Sequence, residues 1–319
     1  MTGCRLETVL QPCHIHRMKR LRIGRAWLDM VGSGDSDRYF DALVDDIHDD
    51  LDRICAALLT DPAGVVLDVG ANIGTTPAVF SKHVPNGQVY AFEPGPSVFA
   101  ALKANVALNG LKNVSPLNLA VAAKPGTVRF FEDAAYGHIT TDGRGCDVPA
   151  VSIDDFVASR ALKRVDLIKI DVEGFESSVL EGAAQTIERF APIIHMEFNL
   201  WCLMAYSKID PIDFAESLVR KFRFVFAIDP FSPDRARRIE AGQAARFVHD
   251  RMVARGCIDD LVMTNNERVA EILEGLVIVP PADEIAPAEH HIGWRQIATY
   301  VGRRLSLHAQ ALLGGRNAS

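Results

Sequence analysis

Between Val65 and Asn199 the chain alternates short apolar runs with stretches of helical periodicity. VVLDVG, QVYAFEP, VSPLNLAV, VDLIKIDVEG and IIHMEFN have strand length, and helical patterns begin at Thr75, at Pro96 and in SSVLEGAAQTIERF. Such alternation predicts parallel strands joined by right-handed crossovers, with helices on both faces of the sheet. Asn86-Gly87 and Asn109-Gly110 sit where helices must stop, the second pair suited to a positive φ. Lys124-Pro125-Gly126-Thr127 has the composition of a type II turn between NLAVAA and TVRFF, which predicts an extra hairpin strand.

The flanks differ in texture. Residues 1–62 suggest a helical N-terminal extension, with Phe40, Val44, Ile47, Leu51, Ile54 and Leu58 recurring at three- and four-residue spacing on one apolar face. The aspartates crowded between 35 and 52 lack the order and glycine of a calcium loop, so a solvated helix face is expected. Past residue 200, PIDFAESLVRKF reads as a helix, RFVFAID as a strand, and CIDDLVMT as a strand closing the sheet antiparallel. PPADEIAP is a linker. Trp294, Ile297, Val301, Leu305 and Leu312 then mark one side of a terminal helix suited to core packing or a homo-oligomer contact. The expected organisation is an extension over 1–62, a central domain over 63–275, and a linker with helix over 276–319.

At 319 residues and 48% hydrophobic, the chain can fill a large core. Its net charge of −7 disfavours a nucleic-acid partner, which would need a basic surface. Cys4, Cys13, Cys55, Cys146, Cys202 and Cys257 are scattered and form no CxxC pair, so free thiols in a reducing compartment are expected. Cys13, His14 and His16 lack a second ligand pair and read as surface. With neither a secretory apolar stretch at the N-terminus nor a membrane-spanning run, a cytoplasmic location is expected.

The chemistry concentrates in VLDVGANIGTT. In an open parallel sheet, ligands bind beyond the carboxyl ends of the strands. Gly70 and Gly74 would admit a ligand close to the backbone, beside Asp68. The second strand ends at Glu93, about 20 residues further on, where a carboxylate can accept both hydroxyls of a ribose. A dinucleotide fingerprint, GxGxxG, fails, because Asn72 and Thr75 occupy its second and third glycine positions. An acid followed by GxxxG suits a phosphate-free cofactor whose amino-acid end rests on the loop. S-adenosylmethionine is such a cofactor, with Asp68 an anion near its ammonium group.

VVLDVGANIGTT, VYAFEPGPSVFAALKANVALNGLKNV, SIDDF, VDLIKIDVEGFESSVLEGA and IIHMEFN together resemble the FkbM-type S-adenosylmethionine-dependent methyltransferases over roughly residues 63–200. The resemblance implies a Rossmann-like class I fold: a mostly parallel seven-stranded sheet with an antiparallel last strand. It also implies methyl transfer to an oxygen, commonly a hydroxyl of a sugar or natural-product scaffold. By position, Asp68, Gly70, Asn72, Gly74 and Thr75 would line the methionine end. Glu93 would hold the ribose, and Ala120 would sit near the adenine.

Lys169, Asp171 and Glu173 share one side of the fourth strand if it stays extended, and His195, Glu197 and Asn199 share one side of the fifth. A hydroxyl must lose its proton as it attacks, so Asp171, Glu197 and His195 are candidate bases in that order, with Lys169 beside them. Glu173 has the alternative role of capping the next helix. Asp171, Glu197 and Asn199 would also suit a divalent metal, although the metal-free route is preferred. Tyr136, His138 and Thr140, in what reads as a long loop from Glu132 to Pro149, are candidates for acceptor contact. Competing readings are a nicotinamide-dependent oxidoreductase, opposed by the failed fingerprint, and a non-catalytic cofactor-binding module. A nucleic-acid methyltransferase is opposed by DVEG where an amino-group enzyme carries (D/N)PP(Y/F).

Overall fold

The computed structural model describes residues 17–275, apart from 35–36, 46, 134–135, 141–142, 230–231 and 255–256. The expected linker and terminal helix over 276–319, and Cys13, His14 and His16, lie outside the described residues.

Residues 17–62 form an arm rather than a run of helices. It holds the antiparallel hairpin β1 (Met18–Ile23) and β2 (Ala26–Val31), then α1 (Arg38–Ala42) and α2 (Asp49–Leu58). The hairpin is in the sequence as a period-two pattern: Leu21, Ile23, Leu28 and Met30 point into the core while their neighbours face out. The expected continuous helical face from Phe40 to Leu58 is broken between α1 and α2. Lys19 Nζ donates to the carbonyls of Phe40, Asp41 and Leu43, and Ile47 pairs with Ile23 at the hairpin edge. Pairing with the hairpin thus overrides helical propensity there, and Val44 is exposed instead of buried. Nor is the acidic face simply solvated, since Asp52 is buried against Arg25 and His83.

The central domain runs β3 (Val65–Val69), α3 (Thr75–His83), β4 (Gln88–Phe92), α4 (Pro96–Leu108) and β5 (Val114–Leu117). A second sheet follows, from β6 (Ala120–Val121), β7 (Gly126–Phe131), β8 (His138–Ile139) and β9 (Cys146–Val151). Next come α5 (Ile153–Ser159), β10 (Leu167–Ile170), α6 (Glu176–Glu181), α7 (Ala184–Phe190), β11 (Ile193–Asn199) and α8 (Leu200–Cys202). The last described elements are α9 (Pro211–Lys221), β12 (Phe224–Asp229), β13 (Ser232–Arg238), α10 (Ala244–Ala254), β14 (Ile258–Thr264) and α11 (Glu267–Gly275).

The main sheet has the order β13-β12-β14-β11-β10-β3-β4-β5. The block from β5 to β11 is parallel, and β14 enters antiparallel between β11 and β12. CIDDLVMT therefore closes the sheet antiparallel as expected. The sheet has eight strands rather than seven, because β13 adds an antiparallel edge to β12. VSPLNLAV divides: β5 stays in the main sheet and β6 crosses to pair with β9. The segment expected to be a long loop carries β8 and most of β9, with Gly137, Gly143 and Gly145 lying just outside these strands.

Apolar side chains alternate across the main sheet into two cores. Val66, Leu167 and Ile193 pack toward the arm, α2, α3 and α4, whereas Leu67, Ile168 and Ile194 pack toward α5, α7, α9 and α10. Period two then places Asp68, Lys169 and His195 on the arm side, in register across β3, β10 and β11. No helix among the described residues is long and apolar enough to cross a membrane.

Two asparagines one turn apart, Asn105 on α4 and Asn109 at its C-cap, hold the arm to the domain. Asn105 Oδ1 accepts from the Val31 N–H at 2.7 Å, and its Nδ2 donates to Val31 O at 2.9 Å and Ile73 O at 2.8 Å. Asn109 makes the same two-way pairing with the backbone of Asp29. Each amide imitates a neighbouring strand for β2. Asn105→Ala is expected to lower stability by about 2 kcal/mol, because it orphans three backbone groups at once. Urea unfolding measures this.

Candidate active site

β3 ends in a turn that only glycine can make. Gly70 has φ +82°, and a Cβ on it would stand 1.8 Å from the carbonyl oxygen of Asp171. The N–H groups of Gly70 and Ala71 both donate to Phe92 O, at 3.0 and 2.9 Å, so the loop lies flat over the tips of β4 and β10. Gly74, at φ +99°, turns the chain into α3 against Leu102.

Glu93 follows β4 and is buried. Its Oε2 accepts the Asn72 N–H at 3.0 Å, and its Oε1 accepts the Gly95 N–H at 2.8 Å. One backbone bond per oxygen fixes the carboxylate and leaves each oxygen capacity for a further donor. Asn118 steadies the segment by donating to the carbonyls of Glu93 and Pro94. Burial pushes the Glu93 carboxyl up to about 7, against the opposing effect of the two N–H bonds.

Beneath the loop lies Lys169. Its ammonium donates to Gly70 O at 2.8 Å and stands 3.6 Å from Asp68 Oδ1 and 3.4 Å from Asp171 Oδ2. Burial opposes its charge, but the two carboxylates outweigh burial and the Lys169 pKa is raised. Asp68 is fully enclosed and accepts the Thr76 hydroxyl at 2.6 Å.

These elements border an open cleft of about 1040 Å³, counting its mouth. Of the residues singled out in the sequence, Gly70, Asn72, Thr75, Glu93, Ala120, Lys169 and Asp171 line it, whereas Gly74 does not. Leu119, Val121, Phe130 and Ile139 give one end of it an apolar wall suited to a flat base. An adenosine without phosphate fits this lining, with Glu93 as the ribose acceptor and bare backbone beyond it.

Other expectations are corrected. Asp68 does not line the cleft; it braces Thr76 and Lys169 under the loop, because the alternation that aims it at the arm side also buries it. His195, Glu197 and Asn199 are buried behind the lining. Burial lowers the His195 pKa to about 4, with Asp50 opposing and Lys169 assisting that shift. Asn199 Oδ1 accepts the N–H groups of Trp201 and Cys202 as the cap of α8, which occupies the atom a metal would need. Glu173 is not the N-cap of the next helix, α6, where Phe175 stands. Glu173 adopts φ +52°, lines the cleft and accepts the Cys202 thiol at 3.0 Å, whereas Glu176 takes the Gly174 N–H at 3.0 Å. Tyr136 lines the cleft, while His138 stacks on Tyr206 at 3.9 Å and Thr140 donates its N–H to Arg129 O.

Carboxylate oxygens of Asp171, Glu173 and Glu197 lie within 4.8 Å of one another, the arrangement among the described residues that could hold a cation. Two lining residues have no sequence signal. Tyr39 and His48 come from the arm, and nothing in their spacing ties them to the glycine loop.

The strand order, with an antiparallel strand inserted beside the fifth parallel one and the cleft at the glycine turn, defines a class I methyltransferase fold. Residues 68–216 match the methyltransferase FkbM domain. Over 158 residues the chain is 29% identical to the hexuronic acid methyltransferase AglP of Haloferax volcanii, covering 48% of this chain and 61% of that protein. It is 26% identical over 169 residues to the 2-O-methyltransferase NoeI of Sinorhizobium fredii, covering 46% and 68%. With the 31-O-demethyl-FK506 methyltransferase FkbM of Streptomyces tacrolimicus it shares 30% identity over 156 residues, covering 38% and 60%. The chain thus spans roughly three fifths to two thirds of these relatives' lengths.

Gly70→Ala is expected to abolish cofactor binding, since the methyl group has no space against the Asp171 carbonyl; equilibrium dialysis with labelled cofactor reads the loss. Glu93 adds a pH dependence. With Glu93 holding a ribose, as the sequence predicts, the hydroxyls would donate to the ionised carboxylate, so cofactor affinity should rise as pH increases through about 7 and be flatter in Glu93→Gln. At pH 6 it should be weaker than the plateau by about tenfold. The folded-state pKa is raised, so this group's contribution to the stability of the free protein is full below the unfolded value. That contribution is lost as pH climbs through about 7. Calorimetric titration between pH 6 and 8 tests the affinity trend.

Proposed function

We propose that the chain transfers the methyl group of S-adenosylmethionine to a hydroxyl oxygen of a small molecule or sugar in the cytoplasm. The observation carrying this reading is Glu93, fixed by the Asn72 and Gly95 amides and facing a cleft floored by the glycine turn. The relatives' names, which specify a hexuronic acid, a 2-O position and a 31-O-demethyl compound, support an oxygen acceptor. The cofactor supplies a methyl group on a positively charged sulfur. The acceptor oxygen attacks that carbon opposite the sulfur, so a C–O bond forms as the C–S bond breaks. Most of the acceleration comes from alignment, where effective molarities of about 10⁵ M and above are known.

Asp171 is the base of choice. It lines the cleft with its side chain 33% exposed, and a carboxylate oxygen can receive the acceptor proton. A positioned base contributes typically about 10² to 10⁴-fold. Lys169 holds the loop and Asp171 in place, and Glu197 and His195 stand behind them. The cluster of Asp171, Glu173 and Glu197 favours a second reading, in which a divalent cation lowers the acceptor's pKa.

Labelled methyl transfer to cell extract, with mass spectrometry of the product, tests the activity and finds the acceptor. Binding of NAD in place of S-adenosylhomocysteine would overturn the reading in favour of an oxidoreductase. Asp171→Asn is expected to spare cofactor binding and lower kcat by at least about 100-fold. The rate should survive dialysis against a chelator; loss of activity restored by magnesium would transfer the role of these carboxylates to metal binding.

A further inference from the structure

The arm lies outside the matched stretch of 68–216, yet it reaches the cleft with two side chains, Tyr39 and His48. His48 is held there by the surrounding structure. It adopts the left-handed φ of +61° immediately before α2, a conformation uncommon for a residue with a Cβ. The Gly24 N–H donates to Ile47 O at 2.8 Å, and the Ile47 N–H donates to Arg22 O at 3.3 Å, tying the preceding residue to the hairpin. One turn into α2, Asp52 bonds His83 at 2.9 Å and Arg25 at 2.7 Å. The helix is thereby fastened along α3, and His48 Nε2 is brought to 3.0 Å from Thr75 Oγ1.

That contact marks a particular end of the cleft. Glu93 and Asn72 define the ribose position, and the loop leads from Gly70 to its exit at Thr75. The amino-acid part of the cofactor, on the S-adenosylmethionine reading, carries a carboxylate that needs donors. Lys169 is directed at Gly70 O and two carboxylates, and the Thr76 hydroxyl is given to Asp68. The donor-bearing side chains along the loop and its exit include Asn72, Thr75, His48 and Tyr39, of which His48 and Tyr39 come from the arm and His48 is paired with Thr75.

We propose that the N-terminal arm completes the cofactor pocket, with His48, assisted by Tyr39 and Thr75, receiving the carboxylate of the cofactor's amino-acid end. The arm is then part of the binding machinery. A fragment beginning at β3 would keep the ribose grip and lose the anchor for the tail.

The test compares two ligands on the full chain by calorimetry. S-adenosylhomocysteine carries the amino-acid end, and 5′-methylthioadenosine lacks it. His48→Ala should weaken S-adenosylhomocysteine at least about tenfold, the scale of a hydrogen bond to a charged group, and leave methylthioadenosine within about twofold. His48→Gln, which retains a donor, should recover part of the loss, and Tyr39→Phe should show the same ligand selectivity more weakly. Equal losses for both ligands would make His48 a structural residue and overturn the inference, as would no loss for either. If the wild-type chain binds neither ligand, the S-adenosylmethionine reading falls and takes this inference with it. If it binds both and His48→Ala behaves as wild type, only this inference falls.

Discussion

A buried ammonium organises the ligand end of the sheet. Lys169 Nζ sits beneath the glycine turn, bonded to Gly70 O and flanked by Asp68 and Asp171. Taking a lysine out of water is costly unless the charge is matched and its protons are used. Here the carbonyl and two carboxylates do both, and in return the ammonium fixes three things at once. It fixes the height of the loop over β10, the enclosed position of Asp68, and the direction of Asp171 into the cleft. Gly70 completes the constraint, because the loop can settle on the ammonium only if no Cβ intrudes on the Asp171 carbonyl. The cofactor floor and the proposed base therefore share one electrostatic origin.

Around that centre, polar side chains repeatedly do the work of missing backbone partners. Asn105 and Asn109 pair with both backbone groups of Val31 and Asp29, binding the hairpin edge to α4. Asn105 continues to Ile73 O, so the same residue links the arm to the glycine loop. Asn118 fastens the segment after Glu93, and Glu93 ties the Asn72 amide back across the cleft. The result is a rim whose members each have a defined partner before a ligand arrives. Such preorganisation favours catalysis by alignment, which asks for little acid-base power and much positional control.

The carboxylates near the strand tips divide into distinct roles through burial and neighbours. Glu93 is enclosed, receives two amides and has its pKa raised to about 7. Glu176, also enclosed and raised to about 7 by burial, accepts the Gly174 amide beside the cleft. Asp171 and Glu173 reach the cleft itself, and Glu197 backs them. Five acids of similar chemistry thus occupy three kinds of setting, an amide-fixed rim, a turn and the cleft wall, with the backbone deciding which sits where.

Much of this was open to view in the chain. Period two in VVLDV, LIKI and IIHMEFN, set among helical stretches, determines a parallel sheet, and the failed dinucleotide pattern with Glu93 predicts a phosphate-free ligand. Local propensity and alternation act over a few residues, so they survive in the sequence. Whether Asp68 faces a ligand or a lysine was not legible, because alternation gives a side of the sheet but not what covers it. The hairpin's claim on Ile47, which breaks the helix expected from Phe40 to Leu58, depends on hydrogen bonds between segments far apart in the chain. So does the arrival of His48 at Thr75, across the space between α2 and α3. The sequence by itself determined the strands, the glycine turn and the acid at the end of the second strand; tertiary packing decided which charges the cleft exposes, since burial and long-range pairing have no periodic signature.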